Sequence, residues 1–166
     1  MAHPQPIEAE AKHTKDSLIN LLARADSALG LLKERASQLV SLGDPEGNGF
    51  SPGQLETLCR SLDEGRGRVH RRLLGIAGEA VRPEPAAAQN PSGNTRDPLV
   101  FLADYRACCR RLCTALSEAL RISDAATGAV LSALVLRLEK QLWLMDTPRH
   151  NVGAEPYRSI SLFLTC

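Results

Sequence analysis

The sequence predicts an all-α fold, a four-helix bundle with a long crossover between helices two and three. Three observations carry that expectation. Aromatic residues are 4% of a chain that is 43% hydrophobic, so the core must be Leu and Ala, which suits helices better than sheets. Four segments place apolar residues at alternating spacings of three and four, the signature of one helix face. One stretch, residues 83–96 (PEPAAAQNPSGNTR), has the composition of a long loop, whereas the links on either side of it are short.

Composition bounds the rest. At 166 residues the chain fits one domain with a real core. A formal net charge of +1 gives no bulk electrostatic reason to bind nucleic acid or an anionic membrane. No apolar run approaches bilayer-spanning length, and the opening MAHPQPIEAEAKHTK lacks the apolar core of a signal peptide. A cytoplasmic protein is the expectation. The domain reading is a flexible tail over residues 1–14, the bundle over 15–147, and a C-terminal tail over 148–166.

The first helix is expected over residues 16–42, on the stripe Leu18, Leu22, Ala25, Leu29, Leu32, Ala36 and Leu39, with Gly43 placed to end it. In the loop that follows, Asp44, Glu46, Asn48 and Gly49 resemble the start of a calcium loop. Leu55 occupies the place of the bidentate acid, so a plain connecting turn is the better reading. The second helix opens with a capping box, Ser51 with Gln54, and Pro52 at its first position. Leu55, Cys59, Leu62, Val69, Leu73, Ile76 and Ala80 form its stripe, Arg60, Arg66, Arg68, His70, Arg71 and Arg72 its basic side, and Pro83 its expected end. Gly65, Gly67, Gly75 and Gly78 weaken it by roughly 1 kcal/mol each relative to Ala, or admit a neighbouring helix at close range.

The third helix starts from Asp97 as cap with Pro98 behind it, and carries Leu102, Tyr105, Cys109, Leu112, Leu116 and Ala119 to about Ile122. The fourth, over residues 124–146, has Asp124 as cap and Thr127, Leu131, Leu134, Leu138, Leu142 and Met145 on one face, with Pro148 beyond its end. In the last residues Ile160, Leu162 and Leu164 alternate with Ser161, Phe163 and Thr165, an extended apolar pattern expected to dock on the bundle or on another subunit.

Five cysteines, an odd number, without a signal sequence argue against a disulfide framework. Cys108, Cys109 and Cys113 lie close enough on one helix to raise metal binding, but no His accompanies them and no CxxC pair exists. Small core-filling residues are the better reading. No nucleophile–base pair and no Gly-rich phosphate loop appears, so no catalytic residue is assigned. Lys12, His13 and Lys15 form a modest basic cluster, and Lys12 and Lys15 are the candidate nucleic-acid contacts of the N-terminal region.

Four helices with the long link in the middle resemble the ferritin-like fold. The last helix, DAATGAVLSALVLRLEKQLWLMD, resembles the final helix of the Dps family, the bacterial mini-ferritins, with its Leu-Glu-Lys-x-Leu-Trp run at residues 138–143. CRSLDEGRGRVHRRLLGIAGEAV is similar to the family's second helix, and LKERASQLV to the end of its first. The resemblance covers residues 16–147. It implies a hollow homo-oligomer of twelve subunits that oxidises ferrous iron at an inter-subunit ferroxidase centre, stores the mineral and often shields DNA.

Carried over position by position, the ligands are mostly gone. Gln38 stands at one family histidine and Cys59 at another, Asp63 keeps an acid, and Leu74 and Gly78 replace the acids that bridge iron. Leu and Gly cannot ligate iron, which prefers carboxylate and imidazole donors. Arg71 and Arg72 nearby would repel it. Asp63 is then expected to be a salt-bridge partner for arginine rather than a metal ligand. The resulting expectation is a shell subunit, alone or beside an active paralogous subunit, without the usual centre. Two readings stand beside it. One is a working ferroxidase and iron store that uses Glu79, Asp63 or the cysteines. The other is a scaffold whose arginine-rich second helix holds nucleic acid or an acidic partner.

Overall fold

The computed structural model of the chain describes residues 6–41, 50–78, 97–122 and 124–146. Among them are four helices and no strands: α1 (Pro6–Ser41), α2 (Pro52–Ala77), α3 (Pro98–Arg121) and α4 (Ala125–Asp146). The long link, the calcium-like loop and the C-terminal tail lie outside the described residues, as do Gly43, Glu79, Ala80 and Pro83.

The helix starts follow from local chemistry. Ser51 Oγ accepts the Gln54 N–H at 3.3 Å while Gln54 Oε1 accepts the Ser51 N–H at 3.0 Å, which satisfies two first-turn donors reciprocally. The Asp97 carboxylate accepts the Leu99 N–H at 2.8 Å ahead of Pro98. Asp124 Oδ1 accepts the Thr127 N–H at 3.0 Å and caps α4.

Two boundaries differ from expectation. α1 begins at Pro6 rather than near residue 16, so Lys12 and Lys15 stand exposed on its first turns and not in a tail. Proline is tolerated at a helix start because the amide it lacks would be unpaired there. α2 ends at Ala77, ahead of Pro83. Gly78 takes φ 76°, where a Cβ would be strained, and its N–H closes the last turn on Leu74 O at 2.9 Å.

The contacts between side chains set the helix directions. Lys33 meets Asp63 and Asp26 meets Arg66, so α1 and α2 run antiparallel. Ser61 meets Gln141 and Arg72 meets Asp124, so α2 and α4 do too. Tyr105 donates to Leu138 O, and Leu120 lies over Gly128, which makes α3 and α4 antiparallel. Arg35 near the end of α1 meets Asp104 near the start of α3. α1 touches α2 and α3, α4 touches α2 and α3, and the pairs α1/α4 and α2/α3 lie across the diagonals. Helices α2 and α3 therefore point the same way, and the rings of Phe50 and Phe101 at their starts meet edge-on at 5.5 Å.

The core is the meeting line of four stripes. All seven positions expected on α1 are buried, as are Leu55, Leu62, Val69 and Leu73 of α2. From α3 come Leu102, Tyr105, Cys109, Leu112 and Ala119, and from α4 Thr127, Leu131, Leu134, Leu138 and Leu142. Cys59, Ile76, Leu116 and Met145 pack at its edge. Tyr105 is fully buried and satisfies its hydroxyl on Leu138 O at 2.9 Å. At Gly65 the glycine is required by packing: a Cβ there would stand 2.7 Å from Leu134 Cδ2, so α4 crosses α2 closer than an alanine permits. Among the described residues no helix is long and apolar enough to cross a membrane.

Candidate functional site

Helix α2 carries a partner of every charged contact among the described residues except Arg35–Asp104, which joins α1 to α3. Its 26 residues bury Leu55, Leu58, Leu62, Val69 and Leu73 and turn the remaining arc outward, one edge toward α1 and the other toward α4. On the α1 edge, Lys33 Nζ holds Asp63 Oδ1 at 2.6 Å. One turn further, Arg66 makes a two-pronged bond to Asp26, at 3.0 and 2.9 Å. The guanidinium passes 3.4 Å from where a Cβ of Gly30 would be, so the small residue on α1 gives it a path. Hydrogen bonding to Asp26 raises the Arg66 pKa despite partial burial.

On the α4 edge, Gln141 donates to Ser61 at 2.7 Å and Arg137 bonds Glu64. Arg72 spans both Asp124 oxygens at 2.9 and 2.8 Å and reaches Thr127 Oγ1 at 3.1 Å. Burial by itself would raise the Asp124 carboxyl. The donors from the Thr127 backbone, Arg72 and the Thr127 hydroxyl, with the charge of Arg72, outweigh it and hold Asp124 below the usual carboxylate range. The cap of α4, the fully buried Thr127 and the α2–α4 contact are thus one network.

The positions singled out as iron ligands do not converge. Asp63 is exposed and bound to Lys33, so it is a salt-bridge partner as expected, though of a lysine on α1 and not of an arginine. Cys59, half-buried, lies 3.7 Å from Ser37 Oγ. Gln38, the next residue on α1, is turned away by the helical step and keeps its Oε1 buried without a hydrogen-bond partner among the described residues. Leu74 is 39% exposed, three turns along α2 from Asp63, and Gly78 ends the helix. Glutamate at a φ of 76° would be strained, so that place is a helix stop before it is a vacant ligand site. Among the described residues no group of three or more His, Cys, Asp or Glu side chains is placed to hold a metal. One carboxylate neutralised by lysine, with leucine and glycine beyond it, does not fit an iron centre.

Cys108 and Cys109 of α3 are buried in the core, and Cys113 packs half-buried at its edge. Burial pushes the thiols of Cys108 and Cys109 up to about 12, so both stay protonated and behave as small core groups. Arg60, Arg68 and Arg71 on α2 are exposed and make no ion pair among the described residues. Lys12 and Lys15 are far along the sequence from them, on the opening turns of α1.

The pairings Asp26–Arg66, Glu64–Arg137 and Arg72–Asp124 were not read from the sequence. A polar Thr127 on an otherwise aliphatic stripe was the available sign of the last. The outer face of α4 was also missed. Leu136, Trp143 and Leu144 are 66%, 45% and 49% exposed, and the sign was large apolar residues on α4 off its buried stripe, among Arg137 and Lys140. Trp143 sits half outside the bundle. Compared with models of known protein families, with curated proteins and with solved structures, the chain matches none.

Proposed function

We propose that this chain is a wall-forming subunit of a Dps-like mini-ferritin shell that has lost the usual inter-subunit ferroxidase centre. It assembles with itself into a cage of about twelve copies, the number the family resemblance implies, or with an active paralogous subunit. The fold under this reading is ferritin-like, with residues 79–96 as the crossover. Parallel α2 and α3 support that, because a chain leaving the end of one and entering the start of the other has to return along the bundle.

The observation that carries the loss of the centre is the state of α2: exposed leucine at 74, a helix-ending glycine at 78, and Asp63 neutralised by Lys33. The test has two arms. Light scattering on the purified protein is expected to give a mass near twelve subunits, and a compact monomer would end the shell reading. A ferrous oxidation assay is expected to show no turnover above the uncatalysed rate. Brisk oxidation would overturn the loss of the centre and favour a ferroxidase with other ligands.

A scaffold for a polyanion is the second reading. It rests on Arg60, Arg68 and Arg71, exposed and without carboxylate partners among the described residues. A gel shift with duplex DNA at low salt, lost at moderate salt, would favour it, because such binding releases counterions. No shift at low salt removes it.

A further inference from the structure

We propose that the apolar end of this chain, residues 160–165, lies along the outer face of α4 of the same molecule, over Leu136, Trp143 and Leu144. Helix α4 already buries Leu131, Leu134, Val135, Leu138 and Leu142 against the bundle. On its opposite side it exposes three large apolar side chains within nine positions. A surface helix normally turns charge to water there, whereas α4 turns these three large apolar side chains outward beside Arg137 and Lys140. The exposed polar side chains between residues 136 and 144 are Arg137, which is held by Glu64, and Lys140, whose stem can lie on apolar surface with its ammonium in water.

The occupant is chosen by pattern, length and tether. Ile160, Leu162 and Leu164 fall on one side of an extended strand-like segment. From 160 to 164 such a segment rises about 13 Å at ~3.3 Å per residue. From 136 to 144 the helix rises about 12 Å at ~1.5 Å per residue. The two apolar rows therefore match in length. Residues 147–159 join them, and fully stretched they reach roughly 45 Å, several times what is needed to turn back from the end of α4. A tether of that length holds the segment at an effective concentration in the millimolar range, above that of any second copy in dilute solution.

Trp143 is the single tryptophan of the chain and reports directly on this face. Acrylamide quenching and emission maximum are measured on the full chain, on the triple variant Ile160→Ser, Leu162→Ser, Leu164→Ser, and on Leu136→Ser. The helical circular dichroism of each is the folding control. Leu136→Ser leaves the buried core intact, since Leu136 is 66% exposed, and the circular dichroism checks the same for the triple variant. Trp143 of the full chain is expected to be shielded at every concentration, and the quenching constant to rise severalfold in both variants with a red-shifted emission. Equal quenching in all three overturns the proposal. Shielding in the full chain that disappears on dilution also overturns it, and assigns the face to a second copy. The mass of the assembly, read by light scattering on the same samples, is expected to be unchanged in the triple variant. The docking and the shell reading thus fail independently.

Discussion

Replacing Gly65 and Gly67 by alanine, one at a time, should change stability in opposite directions. Both glycines lie inside α2, and either change removes the same backbone freedom, worth about 1 kcal/mol of helix propensity. At Gly67 the nearest atom to the new Cβ is Arg71 Nη1 at 4.0 Å, the movable end of a long side chain, so the gain is kept. At Gly65 the new Cβ meets Leu134 Cδ2 at 2.7 Å, about 1 Å inside the ordinary carbon–carbon contact of 3.5–4.0 Å. Leu134 is 2% exposed and boxed in, with Leu29 Cδ1 3.9 Å from the same Cβ, so relief requires displacing packed groups. Overpacking of this kind costs about 1–3 kcal/mol. The net expectation is a gain of about 1 kcal/mol for Gly67→Ala and a loss of up to about 2 kcal/mol for Gly65→Ala. Urea unfolding measures both, with an unchanged slope as the sign that only stability moved. In thermal melts each kcal/mol corresponds to about 2–4 °C for a chain of this size. Leu134→Val should recover part of the Gly65→Ala loss, since it removes reach where the clash occurs. If Gly65→Ala proved as stabilising as Gly67→Ala, the close crossing of α2 and α4 would be wrong.

Three further outcomes are expected. Asp124 has its folded pKa depressed, so the stability it supplies is present above its unfolded value near 3.9 and is lost as pH falls through the folded value. Asp124→Asn keeps a good cap but should cost about 1–3 kcal/mol at neutral pH, because Arg72 loses the carboxylate it spans, and the gap to the parent protein should close in acid. Glu139 has the opposite sign: burial raises its pKa, so its favourable contribution exists below the unfolded value and disappears as pH rises through the folded one. Glu139→Gln should therefore stabilise at neutral pH and make no difference near pH 3, as urea midpoints across pH would show. Gly78→Ala should destabilise by about 1 kcal/mol, in spite of the better helix former, because φ 76° is unfavourable for a Cβ; an increase in melting temperature would count against the helix stop placed there.

What was legible in the sequence was most of what neighbouring residues settle among themselves, though not the start of α1 at Pro6 or the stop of α2 at Gly78. Ser51 with Gln54, Asp97 with Pro98, and Asp124 with Thr127 announce helix starts because each cap closes within four residues. The aliphatic stripes are equally local, since a 3.6-residue period places them on one face whatever lies opposite, and the buried Leu29, Leu62, Leu112 and Leu138 were all on them. That Leu74 and Gly78 cannot ligate a metal through their side chains was legible as well, because neither side chain carries a donor atom in any fold. The tertiary structure decided the rest. Asp63 belongs to Lys33 and Asp124 to Arg72 because of which helices became neighbours, a matter of residues 30 and 52 positions apart that no short-range pattern encodes. Gly65 and Gly67 read alike in sequence and differ only because Leu134 arrives at one of them. The exposed row Leu136, Trp143 and Leu144 is a surface only because the bundle closed on the other side of α4: periodicity gives a helix its faces, and packing decides which of them meets water.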